Sequence, residues 1–452
     1  MNLHRVVNCA LALSLIPALG VAQGPKQTQG TYSTWDADMI NSEAVSQTGA
    51  GVYVAVLDTG LVPNWKDYFP TERIATNLGT GFSQNVSFKA QNDTCGLGVS
   101  VGQLHQTGFT GSNSSSHGTH VTSTIIGYNY RSNTDAAQGY ALPPIYVRGI
   151  APNVTIIPVK VLGDYQVPAL PKCGDGIPSQ VANFGTDEMV AAGINYVTGL
   201  AKAGYRPMVI NMSLGGSELA QIEKDAIDKA VAAGVIVVAA AGNQGEAGID
   251  YPGAYAPVIS AGSAGWTGEW LFPGTNTGRY RMWWLKYPFA PLPAGSGNVP
   301  DPTSEDDVYV SAFSSRAFTG QQLDVLAPGS WVRGPFESGD GYSHLPWWSK
   351  SLADLKNTKL GNFYYVGGTS MATPHVASVA ALILEKAPTL KAADVEQILK
   401  STALAIPNTG TVHILNNTVF TDVSWDTNCN GTPCDPVGAG LIRADAALSV
   451  TP

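Results

Sequence analysis

Four residues of this chain have the types needed for acyl-transfer chemistry: a serine, a histidine, a carboxylate and an amide. Ser370 lies in Gly367-Gly368-Thr369-Ser370-Met371-Ala372-Thr373-Pro374-His375-Val376-Ala377. Gly-Gly is loop chemistry. The residues after it read as the start of a helix, with Pro374 accommodated in its first turn. Small and apolar residues continue through Ala380, Ala381 and Leu384, so this helix reads as buried. A serine at its mouth faces the positive end of the dipole and unpaired N–H groups, which suits a nucleophile whose attack creates an oxyanion. Taken alone, Ser370 also fits an ordinary N-cap. A serine hydroxyl attacks only when a base removes its proton. Histidine is that base near neutral pH, and a buried carboxylate holds its tautomer and stabilises the imidazolium. His117 and Asp58 are the candidates. Asn243 offers a side-chain amide to the oxyanion, with the Ser370 N–H as second donor.

Each of these residues sits at the end of a predicted element. Val52-Tyr53-Val54-Ala55-Val56-Leu57 is a near-continuous apolar run, which predicts a strand buried on both faces, and Asp58-Thr59-Gly60 ends it. Functional groups collect at the carboxyl ends of strands in parallel α/β sheets. Residues 61–116 read as loop-rich, and a helix is predicted from His117 to Ile126. His117 and His120 are three apart, a spacing that permits a metal site, but no acidic residue lies between them and no third ligand is evident. A second buried strand falls within Asn153–Leu162. A helix over 186–203 follows, capped by Thr186, then a strand at Val209–Met212 opening into Ser213-Leu214-Gly215-Gly216. A helix from Ser217 to about Ala233 leads to a strand at Val235–Ala241 that ends in Gly242-Asn243. Strand and helix in this alternation predict a right-handed parallel α/β sheet.

Residues 264–350 differ. They are rich in Pro, Gly and aromatics, with Trp266, Trp270, Trp283, Trp284, Trp331, Trp347 and Trp348. They read as long loops decorating the sheet, interrupted by short strands at Val308–Ala312 and Leu323–Leu326. Their rings either pack beneath the loops or form an aromatic rim for extended substrate. Helices are predicted at Ala392–Ser401, from its apolar Val395, Ile398 and Leu399, and again over Gly438–Leu448.

Composition narrows the class. The 452 residues carry a net charge of -9, only 13% are charged against a usual ~25%, and 50 are glycine. There are no Lys/Arg runs, so nucleic acid is not an expected partner. His4 and Arg5 precede an apolar stretch from Val6 to Ala22 that ends in small residues, which reads as a secretory signal cut before Gln23. No other stretch is long enough to span a bilayer, so no membrane partner is expected. Cys9 falls within the signal. The remaining Cys95, Cys173, Cys429 and Cys434 are even in number for an oxidising compartment. The expected pairing is Cys429–Cys434 and Cys95–Cys173, with free buried thiols as the alternative. Asn85, Asn92, Asn113, Asn153, Asn416 and Asn430 head N-x-S/T sequons.

With these residues in place the chain resembles the subtilisin-like serine peptidases. Val54–Gly60, His117-Gly118-Thr119-His120, Asn211-Met212-Ser213-Leu214-Gly215-Gly216, Ala240-Ala241-Gly242-Asn243 and Gly368–His375 match that family's motifs in its order, over roughly residues 30–262 and 308–448. The resemblance implies a three-layer sandwich with a central, mostly parallel sheet flanked by helices. It implies a secreted endopeptidase working through an acyl-enzyme, as one catalytic domain over 23–452 and a monomer. Asp58 would be the triad acid, His117 the base, Ser370 the nucleophile and Asn243 the oxyanion donor. Ser213, Leu214 and Gly215 would pair with protein or peptide substrates as an added strand. With Ala240, Ala241 and Gly242 they would wall the primary pocket, whose small residues suggest an apolar occupant. A non-catalytic peptide-binding protein on the same scaffold is the alternative. A G-x-S-x-G elbow, which an esterase would carry, is missing around Ser370.

Three departures from the family pattern stand out. Between the signal and Asp58 there is no room for a separate pro-domain, so unaided folding is expected. Residues 127–148 replace the compact loop where a calcium site usually lies, and Asp67 alone matches a ligand position. No cofactor is needed for the chemistry, and a structural calcium is left open. The Trp-rich insertion also separates Asn243 from Ser370 more widely than usual.

Overall fold

In a computed structural model the described residues are 31–32, 34–90, 97–112, 116–130, 145–169, 179–268, 270–271, 280–281, 308–336, 363–416 and 419–452. Nine strands form the main sheet. In chain order they are β1 (Tyr53–Asp58), β2 (Thr80–Ser83), β3 (His105–Thr107), β4 (Thr155–Lys160), β5 (Met208–Met212), β6 (Ile236–Ala240), β7 (Ile259–Trp266), β8 (Val308–Val310) and β9 (Val325–Pro328). Their order across the sheet is β8-β7-β6-β5-β1-β4-β2-β3, with β9 also pairing β7. Pairing is parallel except at β3, which runs antiparallel to β2, and β8, antiparallel to β7.

The helices are α1 (His117–Ile126), α2 (Asp187–Lys202), α3 (Gln221–Ala232), α4 (Thr369–Lys386), α5 (Ala392–Ser401) and α6 (Ala444–Val450). Alternation along each strand sends side chains to two cores. Val54, Val56, Val209 and Val238 pack with Val121 and Ile125 of α1 and with the buried α4. Ala55, Leu57, Ile210 and Val237 pack with Ile194 and Val197 of α2 and Ile227 of α3. Three layers result, as expected, because strands apolar on both faces must be covered on both.

The strand order also explains where the site falls. The chain leaves β1 towards β4 on one side, then crosses back to β5 on the other. The carboxyl end of β1 is therefore a topological switch point, where flanking connections part and leave a crevice.

Several boundaries differ from expectation. α3 starts at Gln221 rather than Ser217. Gly216 and Tyr251 exchange both backbone hydrogen bonds at 2.7 Å, which holds the segment after β5 extended. Pro374 is the sixth residue of α4 and not in its first turn. The final helix is only Ala444–Val450, because Leu441 bridges to Leu404 and Leu326 in extended conformation. The region 264–350 is not wholly decoration: β8 and β9, running Val308–Val310 and Val325–Pro328, complete the main sheet against β7, and Trp266 is buried. Trp283, Trp284, Trp347 and Trp348 lie outside the described residues, and with them most of the expected aromatic rim.

Cys429 and Cys434 form a disulfide, with Cα atoms 5.8 Å apart, between the short strands Asn428–Cys429 and Thr432–Asp435. Cys95 and Cys173 fall outside the described residues. No helix among the described residues is long and apolar enough to cross a membrane.

Candidate active site

Asp58 ends β1 and is fully buried. A buried carboxylate is costly unless hydrogen-bond donors surround it. Oδ1 accepts the Thr59 N–H at 2.7 Å. His117 Nδ1 faces both oxygens, at 2.8 Å from Oδ1 and 3.0 Å from Oδ2. Because the carboxylate only accepts, Nδ1 carries the hydrogen and Nε2 is left with its lone pair. His117 opens α1, and the approach of α1 to β1 depends on the next residue. A Cβ on Gly118 would stand 2.5 Å from the Gly60 carbonyl oxygen and 3.1 Å from Asp58 Oδ1. Two hydroxyls fasten the same junction: Gly118 N–H donates to Thr59 Oγ1 at 2.9 Å, and Val62 N–H to Thr119 Oγ1 at 3.0 Å.

His117 keeps 27% of its side chain exposed while Asp58 keeps none, so the ring is open to a substrate on one side and tied on the other. Burial lowers its pKa. The charge of Asp58 and the hydrogen bond to it outweigh that effect and leave the imidazole above its ordinary 6.5. His120, three residues on, is fully buried and donates Nε2–H to the Val332 carbonyl at 3.0 Å, an architectural role.

Ser370 is the second residue of α4, and Gly368 occupies the cap position, so Ser370 is not an N-cap. Its N–H is one of the first four of the helix, which have no intrahelical acceptor. Its carbonyl is also released. The ordinary donor four residues on would be residue 374, a proline with no N–H. Ser213 Oγ donates to that carbonyl instead, at 2.7 Å, and itself accepts from Asn211 Nδ2 at 3.1 Å. The Ser370 hydroxyl donates to the Ser213 carbonyl at 3.2 Å, so in this rotamer it is not turned to His117.

Asn243 follows β6 and is exposed. Its Oδ1 accepts from Thr369 N–H at 2.9 Å and from Thr369 Oγ1 at 3.1 Å. A backbone N–H can only donate, which fixes the amide orientation and turns Nδ2 away from Thr369. Gly242 N–H donates to Thr369 Oγ1 at 3.2 Å. The structure thus ties Asn243, Gly242, Ser213 and Ser370 together around the start of α4, and ties Asp58 to His117. Leu214, Gly215, Ala240 and Ala241 continue the two segments. Asp67 sits exposed in a 3-10 turn, and no three His, Cys, Asp or Glu side chains among the described residues gather as a metal site. Asp67 therefore does not fit a carboxylate-bound calcium by itself.

Two contributors escape sequence reasoning. Thr369 orients Asn243. His375 is fully buried, with Nδ1 2.8 Å from the Met371 carbonyl and Nε2 3.1 Å from Asp36 Oδ2. The carbonyl takes the Nδ1 hydrogen, and Nε2 faces the Asp36 carboxyl. This contact ties the short helix Trp35–Met39 to α4. The sequence carried one usable signal, a histidine within an otherwise apolar helical run.

Residues 49–423 match the family model described as the subtilase family. Subtilisin DY of Bacillus licheniformis is 30% identical over 367 residues, covering 80% of this chain and 86% of that protein. An extracellular protease of Xanthomonas campestris pv. campestris is 29% identical over 418 residues, and subtilisin E of Bacillus subtilis is 31% identical over 298. The matches span about half the length of these last two, 52% of each. Among solved structures, the S41 psychrophilic protease superposes with a TM-score of 0.51 at 22% identity, covering 92% of this chain and 99% of that one, which shows a shared fold.

Substitution of Asp58 by Asn removes both influences that raise His117 and leaves the burial that lowers it. The sign is therefore fixed: in the wild type an NMR titration of His117 should fall above 6.5, and in Asp58→Asn it should move to lower pH. A titration that stays in place or rises would contradict the Asp58–His117 pairing.

Proposed function

The chain belongs to the subtilase family and is a serine-type endopeptidase, and on that premise we propose that Asp58, His117 and Ser370 are its catalytic triad and Asn243 its oxyanion donor. Ser370 Oγ attacks the scissile carbonyl carbon while His117 Nε2 takes its proton. Asp58 holds Nδ1–H and stabilises the imidazolium. Charge develops on the former carbonyl oxygen, which takes hydrogen bonds from Asn243 Nδ2 and the Ser370 N–H. His117 then gives its proton to the leaving amine as the C–N bond breaks. A water repeats the sequence on the acyl-enzyme and releases the acid. No step calls for a cofactor, and a structural calcium would need ligands beyond Asp67.

The observation that carries this reading is the His117 Nδ1–H held at 2.8 Å by a fully buried carboxylate. Such a contact leaves Nε2 basic on the exposed side of the ring. Substrate would enter as an extended strand along Ser213-Leu214-Gly215, with the side chain preceding the cut between that segment and Ala240-Ala241-Gly242. The protein works as a monomer, as one catalytic unit over 23–452, outside the cell after removal of residues 1–22. Its substrates are proteins or peptides, and neither nucleic acid nor a membrane takes part. N-terminal sequencing of secreted protein should begin at Gln23; a first residue within the apolar stretch would count against the assigned cut.

Fluorophosphonate labelling with peptide cleavage tests the chemistry. Ser370→Ala should lose both at an unchanged melting temperature; retained cleavage would displace Ser370 as nucleophile. Peptide binding by wild type without cleavage would favour the non-catalytic alternative. Asn243→Leu should lower kcat by about 10²–10³ with little change in KM, a magnitude taken from subtilisin itself. An unchanged kcat would remove Asn243 from the oxyanion site.

A further inference from the structure

The turn that opens α4 carries three groups of the proposed reaction. Ser370 Oγ and the Ser370 N–H belong to it, and the Thr369 N–H holds Asn243 through Oδ1 at 2.9 Å. A shift of this turn therefore moves the nucleophile and both oxyanion donors together. Its own helical bonds are few. Gly368 at the cap position has no side chain to offer, and Pro374 removes the N–H that would bond the Ser370 carbonyl. Side chains take up the free carbonyls instead. Ser213 Oγ donates to that of Ser370 at 2.7 Å, Thr373 Oγ1 to that of Thr369 at 2.8 Å, and His375 Nδ1–H to that of Met371 at 2.8 Å.

The His375 ring is itself aimed by the N-terminal segment. Its Nε2 lies 3.1 Å from Asp36 Oδ2, and both residues are buried. A buried ring nitrogen that loses its partner is costly, and no bulk water reaches it as a substitute. The ring would then turn towards another partner and carry Nδ1 off the Met371 carbonyl. The place of Asp36 is set without His375. Trp35, Met39 and Ile40 are buried in the core that also holds Met371, Ala372 and Val376 of α4. Ser42 Oγ donates to the Ala37 carbonyl at 3.0 Å, the Ala444 N–H to the Ile40 carbonyl at 2.8 Å, and Asn41 Nδ2 to Asp445 Oδ2 at 3.0 Å. Ahead of the helix, Thr31-Tyr32 runs parallel to Tyr146-Val147 of the strand Ile145–Arg148. That strand pairs with Gly127–Tyr130, which directly follows α1. The N-terminal segment thus reaches both the continuation of the His117 helix and the helix of Ser370.

We propose that Asp36 is a positioning residue of this peptidase. Through His375 it holds the Met371 carbonyl, and with it the turn that aims Ser370 and the oxyanion donors, so the rate of acylation depends on the docked N-terminal segment. This rests on the catalytic reading above.

The test compares the full chain with Asp36→Ala, Asp36→Asn, His375→Phe and Asp445→Ala, well below their melting temperatures. Peptide cleavage is expressed per serine that a fluorophosphonate labels. Asp36→Ala should lower kcat and the rate of labelling by about tenfold or more, within the ~10²-fold that a misplaced reacting group costs. KM should change little, because the Ser213-Leu214-Gly215 segment is untouched. Asn at position 36 reaches Nε2 with the same geometry and should restore most of kcat. His375→Phe keeps a ring and loses both nitrogens; it should match the Asp36→Ala loss, and the double variant should lose no more than either single one. Asp445→Ala frees Asn41 without touching His375, so it should lower the melting temperature and leave kcat unchanged. If Asp36→Ala does not fold, His375→Phe carries the comparison. Wild-type kcat in Asp36→Ala with only a lower melting temperature would make the contact purely structural and overturn the proposal. Losses that add in the double variant, or no rescue by Asn, would overturn it too, and each of these outcomes leaves the triad standing. Wild type that neither cleaves peptides nor labels at Ser370 would overturn the catalytic reading and this inference with it.

Discussion

Asp58 is a carboxylate with no exposure to solvent, and the arrangement around it follows from the need to satisfy that charge. Burying an unpaired carboxylate costs several kcal/mol, so donors must converge on the end of β1. The Thr59 N–H and the His117 ring supply them. His117 arrives only because α1 lies close enough to β1, and α1 lies that close only because residue 118 has no side chain to meet the Gly60 carbonyl. The same contact serves stability and chemistry: it compensates the buried charge and leaves Nε2 basic on the side open to substrate.

The start of α4 shows a related economy in backbone groups. A helix leaves its first N–H groups without acceptors, and a proline at its sixth residue additionally frees the Ser370 carbonyl. Ser213, anchored by Asn211, takes that carbonyl. Thr369 takes the oxygen of Asn243 and thereby turns its amide outward. The His375–Asp36 contact fixes the same turn from beneath. Groups after β5, after β6 and on α4 are thus held by one small hydrogen-bond network, so their mutual placement does not depend on the long connection that separates β9 from α4.

The segments after β5 and β6 also hold the turn at Asp250–Tyr251, through the Asp250 N–H on the Ala241 carbonyl and the paired backbones of Gly216 and Tyr251. Among the described residues Asp250 forms no ion pair of the kind that Asp58 makes with His117.

The sequence by itself determined the strands and which candidate residues stand at their ends. Val52–Leu57, Val209–Met212 and Val235–Ala241 are apolar on both faces, and only a covered parallel sheet satisfies such runs. The bounds of α1 and α5 match expectation, α5 from the spacing of Val395, Ile398 and Leu399, and Asp58, His117, Asn243 and Ser370 were candidates from their positions at element ends. Tertiary structure decided what depends on partners distant in the chain. α3 starts late because Gly216 pairs with Tyr251, and the residues after Gly438 stay extended because Leu441 pairs with Leu404. β8 and β9 join the main sheet although their surroundings read as loop, because the free edge of β7 takes them. Local patterns report which face of an element is apolar, but they carry no information on which distant backbone a segment will pair with.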